Sequence, residues 1–418
     1  MNEIARAEQR LAGRLALDDA RVGAERRAER LPRISPHVAY VPADQFHSRI
    51  SHEWAATAHA AVQRAGGYER LGEALGSCER ARAGVAARVE AKMLAGGIED
   101  LRVDFEDGYG TRLDETEDLH AQQAGAEAAK LEDYQHQVGL RIKSMEPDTR
   151  ARGIRTLTLF LRSLTSEVVP RGPVLITLPK VTSMNQADAF CEFVEVLEGD
   201  LGLPARALLV EIQVEAPRII SQLLTEGAFN SSQSVRSGRI SGLHFGTYDY
   251  GAALKIDPFH QRLDHPSADF AKLVMQLAVS ETDVRLSDGS SNRIPVPADN
   301  FGAWTEHASL VQRSLRRGIT QGWDIHPLQL PSRYFAVYDY YRSGLQEAIA
   351  RINDYLAVQS LAVLDEPASA RALAAFLLAG VQLGAVDAEE ITSQLEADWS
   401  QLLALAAPAF QQTIEGTE

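Results

Sequence analysis

The sequence predicts a (β/α)8 barrel, and three observations carry this prediction. Eight short apolar segments have the pattern of strands, helical segments separate them, and the series spans about 290 residues. No glycine-rich phosphate turn follows an early strand, which argues against the alternative of a doubly wound open sheet. The predicted strands are centred near residues 40, 103, 141, 176, 211, 243, 290 and 323.

The N-terminal part of the chain reads as helices around one early strand. Residues 1–36 mix arginine and glutamate with a sparse apolar stripe, which predicts a solvated helical segment ending near Pro32. The first strand, His37–Pro42, stops at a proline. Residues 52–97 are rich in alanine and predict a helical insertion, with a break at the glycine pair 66–67.

From residue 101 onward, strand patterns alternate with helix patterns. Strands are predicted within 101–106, 139–144, 172–180, 207–216, 239–246, 283–296 and 320–326. Helices are predicted at 114–136, 150–165, 185–199, 217–226, 268–281 and 302–317. The chain is therefore divided into an N-terminal helical segment, a barrel at 37–334 that contains the insertion, and a helical C-terminal extension at 335–418.

Bulk composition narrows the class of protein. Hydrophobic residues make up 45% of the 418 residues, which is enough for a large core. The 42 Lys and Arg against 57 Asp and Glu give a net charge of −15, which argues against nucleic acid or an anionic membrane as the main partner. Two cysteines, Cys78 and Cys191, with no apolar run of transmembrane length and no signal-like N-terminus, favour a cytoplasmic protein.

The stretch from residue 101 to residue 110 gives the clearest functional signal. Strand alternation places Asp104 and Glu106 on one face, Asp107 follows at the end of the strand, and Gly108 opens a loop. Unpaired carboxylates are costly to bury, so this arrangement suits a strand that ends in a wet, cation-holding cleft. The alternative is a surface strand that ends in a solvated acidic turn.

Active sites of barrels lie where the strands end, and those positions can be collected from the sequence. They are Asp104, Glu106, Asp107, Arg141, Lys143, Lys180, Glu215, Asp249 and His326. Oxygen ligands without cysteine indicate Mg2+, with Mn2+ as a second choice, rather than zinc. An arginine and such a metal can hold the carboxylate and keto oxygen of a 2-oxo acid, whose adjacent C–C bond then breaks through an enolate.

Six short motifs follow one another on consecutive predicted strands. They are Asp104–Asp107, Arg141, Leu178–Lys180, Val214–Ala216, Phe245–Asp249 and Ile325–Pro327. Together they resemble the superfamily that contains citrate lyase beta subunits, malyl-CoA lyases, malate synthases and class II pyruvate aldolases. The resemblance covers about residues 37–335.

The resemblance implies a Mg2+-dependent carbon–carbon lyase or aldolase. Its substrate would be a small carboxylate, either a 2-oxo acid or a 3-hydroxyacyl-CoA-type thioester, and the protein would be a homo-oligomer. Glu215 and Asp249 would bind the metal, and Arg141 would hold the substrate carboxylate or stabilise the enolate. The catalytic group would be completed by three acids that position metal-bound water: Asp104, Glu106 and Asp107.

The sequence also departs from parts of that superfamily. The Asp-x-x-His pair of class II pyruvate aldolases ends here in Asp107, which favours the citrate lyase, malyl-CoA lyase and malate synthase branches. In those branches an aspartate of the C-terminal segment often moves the proton. Asp339, Asp354 and Asp365 are candidates, with no motif to choose among them. The insertion at 52–97 indicates a distinct subfamily.

Each predicted site residue also has a structural interpretation. Glu215 and Lys180 could form rim salt bridges, and Arg141 could pair with an acid of the neighbouring strand. We predict that Lys180, Tyr248 and His326 bind substrate together with Arg141, although tyrosine at a barrel mouth is also ordinary packing.

Two other functions stay open from the sequence. One is phosphoryl transfer on an enolpyruvate-type substrate, which would need a phosphate clamp; Arg152, Arg155 and Arg162 have no other assignment. The other is a barrel that binds a ligand without turnover.

Overall fold

Eight parallel strands close into a barrel, in the order β1 to β8 with β8 pairing back to β1. The computed structural model describes residues 11, 13–15, 34–77, 79–131, 137–167, 170, 172–225, 229–280, 282–297, 299–357 and 366–406. The strands are β1 His37–Pro42, β2 Asp100–Asp104, β3 Gln137–Arg141, β4 Val174–Leu178, β5 Leu208–Val214, β6 Ile240–Phe245, β7 Arg285–Ser290 and β8 Gln321–Asp324. The predicted (β/α)8 barrel is confirmed.

Helices separate most of the strands, as the alternating pattern predicted. They are α1 Ile50–Arg64, α2 Tyr68–Ala74, α3 Glu79–Leu94, α4 Asp114–Ala129, α5 Arg150–Glu167, α6 Met184–Asp200, α7 Pro217–Leu223, α8 Gln233–Arg236, α9 Thr247–Ala253, α10 Pro266–Val279 and α11 Asn300–Arg316. After β8 the described helices are α12 Leu330–Leu356, α13 Pro367–Gln382, α14 Ala388–Thr392 and α15 Trp399–Ala406. None of the described helices is long and apolar enough to cross a membrane.

The helical insertion after β1 contains three helices, α1 to α3. The predicted break at residues 66–67 is confirmed, because Gly66 and Gly67 have φ angles of 107° and 91°, in the left-handed region that favours glycine. A second break, which the sequence analysis did not predict, occurs at Gly76 with φ 75°.

The alternation of side chains along β2 determines which of them point into the barrel. All five residues of β2 are buried, and its polar side chains bind partners on other strands: Arg102 contacts Glu211 of β5, and Asp104 contacts Arg141 of β3. The parallel register sets Asp104 beside Arg141. The strands therefore hold a polar interior beneath the mouth where they end.

The chain divides into two compact units. The first contains residues 34–279 and 284–343 and includes the whole barrel apart from a short stretch before β7. The second includes the described residues from Gly344 onward, in which α13 packs on α15. The predicted segment at 1–36 falls mostly outside the described residues, and the domain boundaries at 36/37 and 334/335 remain predictions.

Candidate active site

Charged side chains from five consecutive strand ends meet at the mouth of the barrel, with Lys180 at their centre. The Lys180 Nζ lies 2.5 Å from Glu106 Oε1, 3.2 Å from Asp107 Oδ1 and 3.6 Å from Asp249 Oδ2. Burial alone would lower the pKa of Lys180, but Glu106 and the neighbouring acids outweigh burial and raise it. Lys180 therefore stays protonated and is unsuited to form a Schiff base, which needs an uncharged amine.

The backbone of Lys180 holds another acid of the mouth. Lys180 has a φ of 53°, which is unusual for a residue other than glycine, and its backbone N–H donates to Glu215 Oε1 at 2.6 Å. Such a conformation persists only where the surrounding structure enforces it, and it recurs at functional sites. One residue thus binds Glu215 through its main chain and three other carboxylates through its ammonium group.

Glu215 is buried, and no cationic side chain among the described residues is in hydrogen-bond contact with it. Only 3% of it is exposed, and its second oxygen accepts a hydrogen bond from the Gln213 amide. Burial, together with the nearby charges of Asp249 and Glu106, raises the pKa of Glu215 to about 8. A Cβ at Gly246 would lie 2.6 Å from Glu215 Oε2, so glycine at that position provides the space that the carboxylate occupies.

The guanidinium of Arg141 is held by one carboxylate and by two aromatic rings. Its Nε and Nη2 donate to the two oxygens of Asp104 at 2.7 and 2.6 Å, a bidentate pair. Its Cζ lies 5.0 Å from the ring centre of Tyr40 and 5.7 Å from that of Trp323, both within cation–π range. The third nitrogen, Nη1, lies 3.3 Å from Gln213 Oε1 and 3.4 Å from Glu106 Oε2. The guanidinium is therefore buried, charged and oriented.

Both carboxylate oxygens of Asp104 accept hydrogen bonds. Besides Arg141, it accepts hydrogen bonds from the backbone N–H groups of Glu106 and Gly108 at 3.0 and 2.9 Å. It therefore fixes the loop that carries Glu106 and Asp107, and it acts as a positioning residue. Burial raises the pKa of Glu106, although Arg141 opposes that effect.

Three other residues near the strand ends make polar contacts outside the group of acids around Lys180. The Tyr248 hydroxyl accepts from the Asn292 backbone N–H at 2.6 Å, and His326 Nδ1 accepts from the Leu328 backbone N–H at 3.2 Å. Burial lowers the pKa of His326. Lys143 pairs with Glu117 at 2.7 Å rather than with the acids around Lys180. The substrate-binding roles of Tyr248 and His326 remain predictions.

The structure does not single out a proton carrier among the three aspartates that the sequence offered. Asp339 Oδ1 accepts a hydrogen bond from the Ser77 hydroxyl at 2.5 Å, and Asp354 lies near the end of α12. Asp365 lies outside the described residues. Among the described residues of the barrel unit, Asp339 makes no contact with Lys180, Glu215 or Arg141, so the geometry does not choose among the three.

The three arginines considered for a phosphate clamp lie on α5, outside the barrel. Arg152 and Arg155 both bind Asp118 of α4, and Arg162 lies 3.2 Å from Asp200 of α6. Their positive charges are used in helix–helix ion pairs. They do not form a clamp at the mouth.

Sequence reasoning missed the layer beneath the mouth. His244 Nδ1 lies 3.3 Å from the Tyr40 hydroxyl and 3.2 Å from Trp323 Nε1, and its Nε2 lies 3.4 Å from Glu211 Oε1. This layer supports Arg141 through two aromatic rings. Alternation along β1 and β8 could have pointed Tyr40 and Trp323 inward, but only the closed register shows that both meet Arg141.

The residues present fit a hard divalent cation. Glu215 is a buried acid in a space that a glycine keeps open, and Asp249 is near enough to perturb it. Proteins usually bind Mg2+ through one or two carboxylates, and water molecules provide the remaining ligands. Among the described residues, no three His, Cys, Asp or Glu side chains converge on one metal position, so water would supply the other ligands.

The fold and this mouth define a (β/α)8 barrel protein with an acidic, arginine-containing site at the strand ends. The chain belongs to the family described as domain of unknown function DUF6986, whose model matches residues 16–410. None of the curated proteins compared with the chain matches its sequence.

Solved structures share this fold. A citrate lyase of Burkholderia xenovorans LB400 is 19% identical with a TM-score of 0.57, over 87% of this chain and 97% of that one. A malate synthase of Haloferax volcanii in a magnesium and glyoxylate complex is 12% identical with a TM-score of 0.51, over 93% of this chain and 99% of that one. The resemblance to the superfamily that contains these enzymes is thus confirmed at the level of the fold.

Proposed function

We propose that this protein is a Mg2+-dependent carbon–carbon lyase that acts through an enolate on a small carboxylate substrate. The observation that carries the proposal is Glu215, a buried carboxylate that no cationic side chain of the described part of the chain contacts by a hydrogen bond. The same mouth holds Asp249 and the oriented guanidinium of Arg141. Burying such a group is costly unless a cation compensates it. The likeness to the malate synthase complexed with magnesium and glyoxylate supports the same reading.

In this proposal Glu215 and Asp249 hold Mg2+, and Arg141 binds the substrate carboxylate or the developing enolate. The metal, when bound, polarises the keto oxygen of the substrate. Arg141 is suited to its role because Asp104 and two aromatic rings fix its direction before substrate arrives. Glu106 and Asp107, which line the same mouth, position water.

The substrate class follows from the same groups. One guanidinium opposite one metal position matches the carboxylate and keto oxygen of a 2-oxo acid, or the equivalent oxygens of a 3-hydroxyacyl thioester. Phosphoryl transfer is less well supported, because the arginines of α5 are used in ion pairs. An oligomer remains a proposal that rests on the resemblance alone.

Turnover with and without metal tests the proposal. Purified protein is incubated with oxaloacetate, citramalate, or malyl or citramalyl thioesters, and release of pyruvate, glyoxylate or acetyl thioester is measured with Mg2+ or with EDTA. We expect release from at least one substrate only with Mg2+. Glu215→Gln should reduce that rate by a factor of about 10³ or more, as the loss of a charge-stabilising group does in other enzymes.

A control variant separates loss of the metal from loss of the fold. Arg162→Gln removes a charge from an exposed ion pair on α5 and should leave turnover unchanged. Metal-independent release, or full activity in Glu215→Gln, contradicts the proposal. Ligand binding without release from any of these substrates would favour a barrel that binds without turnover.

A further inference from the structure

The ammonium group of Lys180 lies where several acids of the mouth converge. It is within ion-pair distance of Glu106, Asp107 and Asp249, and 30% of the side chain is exposed. A divalent cation bound between Glu215 and Asp249 would share Asp249 with this ammonium group. Two cations that share one carboxylate at such short range repel each other.

The other cations of the mouth are already committed. Arg141 forms its bidentate pair with Asp104, and Lys143 pairs with Glu117. Among the described residues, Lys180 is the cation within ion-pair distance of Asp107 and of Asp249. Glu106 also lies 3.4 Å from Arg141 Nη1, so it is Asp107 and Asp249 that rely on Lys180 for a nearby positive charge in the metal-free protein.

We propose that Lys180 is an internal counter-cation that competes with Mg2+ for the acids of the mouth and withdraws when the metal binds. The inference rests on the proposed function in one respect, namely that Mg2+ binds at Glu215 and Asp249. The main chain and the side chain of Lys180 have separate tasks. The backbone N–H, held by the left-handed φ of 53°, keeps Glu215 in place in both states, while the flexible ammonium arm moves.

A purely structural salt bridge makes the opposite prediction. If Lys180 only braced the loop of Glu106 and Asp107, its removal would disorder the metal site and weaken Mg2+ binding. If Lys180 is a counter-cation, removal of its charge leaves the acids uncompensated and strengthens Mg2+ binding. The sign of the change in affinity therefore distinguishes the two roles.

Mg2+ titration by calorimetry on the full-length protein tests the inference. Lys180→Met keeps the length of the side chain and the backbone contact to Glu215 but removes the charge; we expect it to bind Mg2+ about tenfold more tightly than the wild type. Lys180→Arg keeps the charge and should bind no more tightly than the wild type. Lys143→Met is the matched control, because it removes one charge from the neighbouring strand end, where the ammonium group binds Glu117 and the Phe105 carbonyl and not the acids around Lys180.

Two results overturn the inference. One is a Lys180→Met variant that binds Mg2+ no more tightly than the wild type; the other is an equal gain in Lys143→Met, which would indicate a general effect of net charge. If the wild type binds Mg2+ and Lys180→Met shows no gain, only this inference fails. If neither protein binds Mg2+, the proposed function fails as well.

A measurement on the wild type covers the case of a variant that does not fold. Amine-modifying reagent is added with and without Mg2+, and modification of each lysine is followed by peptide mass spectrometry. Withdrawal of Lys180 from its carboxylates should speed its modification several-fold, whereas the exposed Lys130, paired with Glu127, should not respond. An unchanged rate at Lys180 contradicts the inference.

Discussion

Two glutamates, Glu211 within strand β5 and Glu215 directly after its end, occupy similar positions in different electrostatic surroundings. Glu211 and Glu215 lie on the same face of the strand and are 0% and 3% exposed. Each also faces a glycine, Gly242 for Glu211 and Gly246 for Glu215. Burial and backbone environment are therefore nearly matched between the two.

Glu211 and Glu215 differ in the charged groups that surround them. Glu211 accepts hydrogen bonds from Arg102 at 2.8 Å and from Arg285 at 3.2 Å, and His244 lies 3.4 Å away. Burial alone would raise the pKa of Glu211, but these partners, Arg102 first, hold it well below the ordinary value. Within the part of the chain that the structure describes, Glu215 accepts hydrogen bonds from one side-chain amide and one backbone N–H, and burial raises its pKa to about 8.

The comparison shows what distinguishes a candidate site from a core ion pair in this barrel. A buried carboxylate by itself is not informative, because Glu211 is as buried as Glu215. The informative feature is a buried carboxylate that the protein surrounds with other acids instead of with arginines. Each prediction below changes one side of this comparison.

The largest expected effect is on stability, from Glu211→Gln. Arg102, which is 0% exposed, pairs with both Glu211 and Asp100. This variant removes one of these two buried counter-charges, and we expect the free energy of unfolding to fall by about 3–5 kcal/mol. Urea unfolding of the metal-free protein measures it. Glu215→Gln is the matched control and should cost less than about 1 kcal/mol, because it removes no ion pair of comparable strength. Equal losses in the two variants would contradict the comparison.

The next effect is the pH dependence of stability in the metal-free protein. The pKa of Glu215 is raised on folding, so the folded state binds more protons than the unfolded chain between about pH 4.5 and pH 8. Stability should therefore fall as pH rises through that window, by about 3–4 kcal/mol between pH 5 and pH 8 for this single group. Unfolding in urea at several pH values checks this.

Glu211 gives the opposite sign and serves as the reference. Its pKa is lowered on folding, so its contribution is present above the unfolded pKa and is lost as pH falls toward the folded value. Glu215→Gln should flatten the decline between pH 5 and pH 8. A decline that persists unchanged in that variant would assign the pH dependence to other groups.

A smaller effect is expected from alanine at the two facing glycines. A methyl group at Gly246 would lie 2.6 Å from Glu215 Oε2 and displace the carboxylate, so Gly246→Ala should weaken Mg2+ binding by a factor of about 10–100. At Gly242 the added methyl meets Glu211 Cγ at 3.3 Å, which a small shift can relieve. Gly242→Ala should leave Mg2+ affinity near that of the wild type, and calorimetry on both variants compares them directly.

The smallest effect concerns Trp323, which lies between the two layers. Its ring lies below Arg141, and its Nε1 donates to His244, which faces Glu211. Trp323→Phe removes the hydrogen bond and weakens the cation–π contact, so affinity for pyruvate or oxaloacetate should fall by about 1 kcal/mol, or roughly fivefold. Phe301→Leu, on the outer helix α11, is the control, and an equal loss there would contradict a role for the aromatic floor.

Much of the fold and the composition of the mouth could be predicted from the sequence. Strand periodicity locates all eight strands, and parallel strands joined by helices bring their C-terminal ends together. For that reason Arg141, Lys180, Glu215 and Asp249 could be collected as neighbours before any coordinates were known.

The pairing of charges could not be predicted. Arg102 and Glu211 are 109 residues apart and meet across the barrel only because of its closed register. The left-handed backbone of Lys180 has no signal in the sequence, since lysine carries no preference for it. Pairing depends on distances of a few ångströms between strand ends, whereas sequence patterns indicate only which ends are close.

The most direct test of the account is a crystal soaked in Mn2+, with data collected for its anomalous signal. Manganese prefers the same oxygen ligands as Mg2+ and can be located without ambiguity. We predict a single strong peak between the Glu215 and Asp249 carboxylates, on the side that faces Arg141. A peak elsewhere, or none at a saturating concentration of Mn2+, would contradict the claim that the uncompensated glutamate of β5 is a metal ligand.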